Sequence, residues 1–340
     1  MEECERLMDK EGKMASYKKL GKMAEDGIWG LVVGDALGVP VEFFSRESLK
    51  TDPVLGMRSH GTYNQPAGTW SDDSSMALCG AEGLTEGLDY EKVMGLFARW
   101  YNEGYMTPHG ETFDIGGATR RAIEKYSLGF PALECGGREE NDNGNGSLMR
   151  ILPLCFYLRS CFGEYTGYQT AFDIIGRFSS LTHAHPISII ACSVYCSAAS
   201  FLMEGHDIAS AIDMGSEKGL AACHSKKEWH KWADLFDGLS SKELKLQTLH
   251  GIKSDGYVLN TLKAAFWCLL TTESLSQCLL KAVNLGSDTD TVAAVAGGLA
   301  GIYYEPDEVF DSWKQMVAKK DMIEALCRRF ARSLEERQGV

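Results

Sequence analysis

The sequence predicts an all-α fold in one domain, and three observations carry that expectation. Apolar residues recur at helical spacing through most of the 340-residue chain. No segment sustains the alternation of a half-buried strand, and only residues 54–70 leave room for a short hairpin. No low-complexity tract or shift in composition marks a boundary, so residues 17–340 read as a single unit.

Composition narrows the function classes. With 44% hydrophobic and 24% charged residues the chain is built like an ordinary globular protein. Its net charge of −13 argues against a general nucleic-acid binder, which needs a basic face to displace counterions. An anionic small molecule stays open, because metal ions and helix N-termini supply positive potential locally. The eleven cysteines are odd in number, form no C-x-x-C pair and fall largely in apolar runs. They read as buried, reduced thiols of a cytoplasmic protein, not as a disulfide framework or a zinc site. Residues 1–16 mix acids and bases without an apolar signal core and read as a flexible leader. Residues 187–203 are apolar but carry Ser188, Ser193, Ser197 and Ser200, so they read as a buried helix and not as a membrane span.

In order along the chain, residues 17–38 form the first helix, with Gly27, Gly30, Gly34 and Gly38 on one face. Each glycine costs a helix roughly 1 kcal/mol against alanine. Four of them call for the close approach of another helix or of a ligand, and Pro40 stops the helix. Residues 45–69 form a long connection, of the kind that often carries function. Trp70-Ser71-Asp72-Asp73-Ser74-Ser75 then opens a helix over residues 76–84. Helical spacing continues over residues 90–105, 115–128, 147–159, 166–181, 187–203, 208–222, 257–270, 275–285 and 320–334. Residues 229–253 are polar and irregular, a surface excursion.

Asn284-Leu285-Gly286-Ser287-Asp288-Thr289-Asp290-Thr291 precedes a run of small residues, 292–304, that reads as the late helix. One helix cap needs one side-chain oxygen, and this turn supplies several. Ser71-Asp72-Asp73-Ser74 repeats the pattern. Taken singly, each motif is an acidic N-cap; taken together, they predict a shared site of hard oxygen donors for Mg²⁺ or Ca²⁺. Four other stretches also lie at predicted helix ends, where a bundle gathers side chains at one rim: Gly34 to Phe43, Phe113-Asp114-Ile115-Gly116, Gly144-Asn145-Gly146-Ser147-Leu148-Met149-Arg150 and Thr182-His183-Ala184-His185-Pro186. Gly144, Gly146 and Ser147 would offer N–H donors to a phosphate or simply form a turn and cap. His183 reads equally as an anion contact, an acid or a cap, and His185 as a cap. Tyr303 and Tyr304 read as core.

These motifs in this order resemble the ADP-ribosylglycohydrolases, including the dinitrogenase-reductase-activating type, from about Gly27 to Tyr304. The resemblance implies an all-helical orthogonal bundle with two Mg²⁺ ions, or Mn²⁺ in their place, at one rim. It implies metal ligation by Ser71, Asp72, Asp73, Asp288, Asp290 and Thr291. Glu42 and Asp114 match acids near the metals; either is a candidate for the base that handles water, and Asp73 joins them as a catalytic candidate. Gly144, Asn145, Gly146, Ser147 and His183 fall at substrate-binding positions. Ser71 and Ser74 depart from the family's usual threonines. A serine offers the same oxygen without the methyl that restricts its rotamer. The implied activity is removal of ADP-ribose from a modified protein, arginine first, or from a small-molecule ADP-riboside, with serine- and nucleic-acid-linked substrates sharing the same chemistry; neither general nucleic-acid binding nor a membrane is expected. Two other readings use the same residues: a non-catalytic binding or structural family member, and a metal-dependent nucleotide phosphatase.

Overall fold

Helix α1 (Glu2–Gly38) is the axis of the molecule, and the computed structural model lays it along the late small-residue helix. Residues 2–224 and 229–337 are described, with side chains for residues 20–222 and 229–337. The first helix, expected over residues 17–38, begins at Glu2, so residues 2–16, expected as a leader, belong to α1, and their side chains are not described.

Among the described residues sixteen helices follow one another. They are α1, α2 (Arg46–Thr51), α3 (Asp72–Thr85), α4 (Tyr90–Glu103), α5 (Gly117–Ser127), α6 (Leu152–Phe162), α7 (Gln169–Ser180) and α8 (Pro186–Met203). The second half holds α9 (Ile208–His224), α10 (His230–Ala233), α11 (Ser241–Leu246), α12 (Val258–Leu270), α13 (Leu275–Val283), α14 (Thr289–Tyr303), α15 (Glu308–Met316) and α16 (Lys320–Arg337). Short 3₁₀ turns link several of them, and no strand occurs among the described residues.

The glycines of α1 have their explanation in α14. A Cβ on Gly30 would lie 2.2 Å from the Gly297 carbonyl oxygen, and one on Gly34 2.3 Å from that of Ala293. A Cβ on Gly38 would fall 2.3 Å from Asp290 Cα, and one on Gly301 2.3 Å from the Asp26 carbonyl oxygen. This register runs the two helices antiparallel in backbone contact. It answers the question left open by the glycine spacing: the neighbour is a helix. The end of α1 and the start of α14 therefore meet at one rim of the fold.

Helix α8 is long and apolar enough to cross a membrane, but it is 94% buried within the fold, and its serines return their hydroxyls to the helix backbone or to neighbours. It is the buried helix expected of residues 187–203. All nine described free cysteines except Cys161 are buried.

Some boundaries differ from expectation. Residues 54–70 form no hairpin; a single bridge between His60 and Gln65 closes around the 3₁₀ turn Gly61–Tyr63. The connection 45–69 also contains α2, capped by the Ser45 hydroxyl. Helix α6 starts at Leu152, not at Ser147, because Pro153 lacks an N–H and fits only a first turn. Tyr303 is exposed at 41%, not in the core, while Tyr304 is half-buried and donates to the Thr272 carbonyl.

The crossing gives a direct test. Gly30→Ala is expected to destabilise by about 1–3 kcal/mol through overpacking, read as a lower urea midpoint at unchanged slope. Gly95→Ala, on α4 with nothing but the Tyr126 hydroxyl 3.7 Å away, is expected to be neutral or stabilising. Equal midpoints for Gly30→Ala and the parent would contradict the backbone contact.

Candidate active site

The rim is organised by an acid that the sequence reading passed over. Asp35 stands alone as a charged residue in residues 28–38 and is fully buried. Its carboxylate accepts the Ser71 N–H at 2.9 and 3.0 Å, the Ser74 N–H at 2.9 Å and the Ser74 hydroxyl at 2.5 Å. The first N–H groups of any helix lack partners within it, and α1 thereby satisfies those of α3. A single acid inside an otherwise apolar helical stretch was the available signal.

Held this way, α3 presents Asp73. The Ser71 hydroxyl caps the helix by accepting the Asp73 N–H at 3.3 Å and donates to Asp73 Oδ2 at 3.2 Å. The Thr291 hydroxyl, from α14, donates to the same Oδ2 at 3.2 Å. The two Asp-rich motifs, 218 residues apart, are thus in contact. Two hydroxyls hold one oxygen of Asp73 and leave Oδ1 buried without a partner. Glu42 Oε2 and Asp290 Oδ2 are also buried and unpartnered.

These orphaned oxygens cluster. Carboxylate oxygens of Asp35, Asp73 and Asp290 lie within 4.8 Å of one another, and so do those of Glu42, Asp114 and Asp290. Two like charges at that separation repel by about 3.5 kcal/mol at an effective dielectric of about 20. Burial, reinforced by neighbouring acids, pushes Glu42 up to about 9 and holds Asp72, Asp73 and Asp290 well above the usual carboxylate range. Burial alone pushes Asp35 up to about 6, against the pull of its serine hydrogen bonds. Such a centre keeps protons or takes up cations. Hard oxygens, anionic charge and unspent lone pairs from three separate motifs fit a divalent ion such as Mg²⁺.

The remaining acids are placed around this pair of clusters. Asp288 does not cap α14; its Oδ2 accepts from Asn145 Nδ2 at 2.8 Å. Asp114 adopts φ +55°, a left-handed backbone that aspartate tolerates, and its Oδ1 accepts the Tyr63 hydroxyl at 2.6 Å. Tyr63 packs on Phe113 with ring centroids 5.0 Å apart. Glu42 is pinned through its backbone: its carbonyl accepts the Thr62 hydroxyl at 2.6 Å. Next to it, Phe43 N–H donates to the Ser287 carbonyl at 2.7 Å while Ser287 N–H donates to that of Phe44 at 2.8 Å. This small ladder ties the first motif to the last.

A cleft of about 350 Å³ opens beside the acids, walled by Glu42, Asp72, Asp114, Asp288 and Thr291 on one side. Its other side is the 3₁₀ turn Asn145–Ser147 with Gly144, together with His183, Thr119 and Arg121. A Cβ on Gly146 would lie 2.8 Å from His183 Cε1 and 2.9 Å from Thr119 Oγ1, so this turn has room only for glycine. Ser147, expected as an N–H donor beside Gly144 and Gly146, is not among the residues that line the cleft. Its side chain is fully buried and its hydroxyl meets Ser179 Oγ at 3.0 Å, away from the cleft wall. Gly144, Asn145, Gly146 and His183 do line the cleft. His183 lines the cleft as a buried imidazole, with burial and then the nearby Arg150 charge lowering its pKa to about 3. His185 caps α8, its Nδ1 accepting the Ile187 N–H at 3.3 Å.

Helices here present buried acids to a glycine-floored cleft, and the relatives of this chain make it a glycosidic-bond hydrolase. The chain belongs to the ADP-ribosylglycohydrolase family, whose pattern it matches over residues 18–339. It is 30% identical over 305 residues to the ADP-ribosylarginine hydrolase Tri1 of Serratia proteamaculans, covering 89% of this chain and 77% of that protein. The ADP-ribosyl-[dinitrogen reductase] glycohydrolase of Rhodospirillum rubrum is 27% identical over 297 residues, 86% of this chain and 88% of its own length. A solved structure described as an ADP-ribosylglycohydrolase-related protein complex aligns with a TM-score of 0.69 at 30% identity, covering 93% of this chain and 99% of its own.

The raised acids set a pH dependence. In the folded, metal-free protein Glu42 holds its proton up to about 9, whereas unfolded it loses it near 4.5. The folded state then binds more protons, so stability must fall as pH rises through that interval. Between about pH 7 and pH 9, above the range in which histidines titrate, EDTA-treated protein is expected to lose thermal stability. Mg²⁺ is expected to restore it, more at the higher pH, because metal and protons compete for the same oxygens. A melting temperature that rises over this interval without metal would contradict the assignment.

Proposed function

We propose that this protein is a Mg²⁺-dependent hydrolase that removes ADP-ribose from a modified side chain, with N-linked ADP-ribosylarginine on protein as its substrate. The observation that carries the reading is the set of three orphaned oxygens, on Glu42, Asp73 and Asp290, beside a cleft floored by Gly144 and Gly146. The arginine linkage is supported by the names of relatives: hydrolases of ADP-ribosylarginine in Serratia proteamaculans and in Pseudomonas putida, the latter also 30% identical. The setting we propose is the cytoplasm, where the cysteines would stay reduced.

Asp73 and Asp290, with Asp35 beside them, would hold one ion and Glu42, Asp114 and Asp290 a second, with Mn²⁺ a substitute for Mg²⁺. Cations bound there would supply Lewis acidity for the ribose oxygens and make water more acidic. The chain's own residues do the rest. Asp114, half-buried where the other acids are buried, reaches the cleft and takes the proton from water; Tyr63 orients it for that transfer. Cleavage at the ribose anomeric carbon develops oxocarbenium character, which the surrounding carboxylates favour. The glycine turn lets the diphosphate approach the backbone closely. Asn145 steadies Asp288 against the charge changes of the cycle.

Purified protein with Mg²⁺ is expected to release ADP-ribose from ADP-ribosylarginine, to stop in EDTA and to recover on adding Mg²⁺. No release from arginine-, serine- or nucleic-acid-linked substrates would overturn the reading, and inorganic phosphate as the product would favour a phosphatase. Asp290→Ala is expected to lose at least about a hundredfold in activity, more than loss of a residue that merely supports a ligand, with its helical circular dichroism intact. Unchanged turnover in that variant would remove Asp290 from the site.

A further inference from the structure

Arg150 has no place in the reaction as described, yet it is fully buried. Among the described residues no carboxylate lies within ion-pair distance of it. Its guanidinium lies over the rings of Phe97 and Phe178, 4.8 and 5.4 Å from their centroids. Nε and Nη1 have no hydrogen-bond partner among the described residues. Nη2 donates to the Phe178 carbonyl at 3.2 Å, the Ser179 carbonyl at 3.4 Å and the Thr182 hydroxyl at 2.8 Å. The two carbonyls belong to the last turn of α7, where a cation is favoured by the helix dipole. The third contact leads toward the cleft.

Thr182 Oγ1 lies 2.8 Å from Nδ1 of His183, and among the described residues Arg150 and His183 are its partners. Hydrogen-bond counting then favours one form of the imidazole, because an Nδ1–H donating to Oγ1 would leave the buried hydroxyl hydrogen without an acceptor. A guanidinium can only donate, so Oγ1 accepts from Arg150. The hydroxyl keeps one hydrogen, and the acceptor within its reach is His183 Nδ1. A neutral imidazole that accepts at Nδ1 carries its proton on Nε2. Among the described residues Nε2 has no hydrogen-bond partner, and it faces the glycine turn, 3.7 Å from where a Cβ on Gly144 would stand and 3.4 Å from one on Gly146.

We infer that Arg150 is a positioning residue: through Thr182 it locks His183 in the Nε2–H tautomer and aims that donor at an anionic group held over the Gly144–Gly146 turn. The inference rests on the reading of the cleft as an ADP-ribose site only for the identity of that anion. The buried cation also disfavours a second positive charge on the ring, in keeping with the low proton affinity of His183, with Asp142 opposing and Arg121 assisting that effect. An arginine that served α7 alone would leave the tautomer free.

The test is the ring-nitrogen NMR of the full chain labelled at histidine, without ligand, with His183 signals assigned by their loss in His183→Gln. The expected pattern is a bare Nδ1 and a protonated Nε2 in the parent. Thr182→Ser, which keeps the hydroxyl, is expected to retain it. Thr182→Val, which leaves Arg150 on its α7 carbonyls, is expected to populate Nδ1–H, and so is Arg150→Met where it folds. ADP-ribose affinity, measured by calorimetry, is expected to fall about tenfold in Thr182→Val, the worth of one hydrogen bond to a charged acceptor, and to stay within about twofold in Thr182→Ser. Nδ1–H in the parent, or an unchanged tautomer in Thr182→Val, would overturn the relay. Equal affinity in Thr182→Val and the parent would overturn its role toward the anion. Failure of the hydrolysis assay would leave the tautomer result standing, so the two claims fall separately.

Discussion

The site depends on how closely α1 and α14 approach. Gly30, Gly34 and Gly38 put the backbone of one helix against that of the other, and no side chain stands between them. At the end of this contact Gly38 lies against Asp290, and the Thr289 hydroxyl donates to the Gly38 carbonyl at 2.8 Å. Asp35 from α1 and Asp290 from α14 are therefore brought together by helix packing. Any residue larger than glycine along the crossing would separate the acids as it separated the helices. Stability and chemistry share one geometric constraint.

That constraint has an electrostatic consequence. Asp35 spends its charge on the N-terminus of α3 and thereby fixes Asp73, which two hydroxyls then orient. α3 and α14 both begin at this rim, so two helix N-termini face the acids, and their dipoles offset part of the repulsion. They do not offset all of it, since Glu42, Asp73 and Asp290 each keep a buried oxygen without a partner. Unsatisfied buried oxygens are costly. Their persistence at three converging positions makes sense for a centre completed by cations, and the family to which the chain belongs is metal-dependent.

Much of this was legible in the residues. Acidic turns at two helix starts, each with more oxygens than a cap uses, predicted that Asp73, Asp290 and Thr291 would converge, and they do. The all-helical class followed from periodicity. Other features were hidden for physical reasons. Glycines at helical spacing report close approach but not of what, and only the partner helix resolves that. Asp35 reads as one polar residue in an apolar stretch, because its partners lie on α3. Ser71 reads as a ligand, and its hydroxyl also caps α3 and donates to Asp73, a second role that the residue type alone does not show. Ser147 sits in a motif whose neighbours line the cleft while its own side chain turns inward, a direction no spacing rule supplies within a 3₁₀ turn. Tyr63 was concealed in a connection without periodicity, and Arg150 could not be separated from an ordinary surface arginine until its burial was seen.

The central claim, that the orphaned carboxylates form a cation site, is tested most directly by anomalous diffraction from crystals grown with Mn²⁺. The account predicts anomalous peaks within coordination distance of Asp73 Oδ1 and Asp290 Oδ2, and of Glu42 Oε2, at the rim where α1, α3 and α14 meet. Crystals whose only Mn²⁺ peaks lie on surface acids, with those three oxygens unligated, would contradict it.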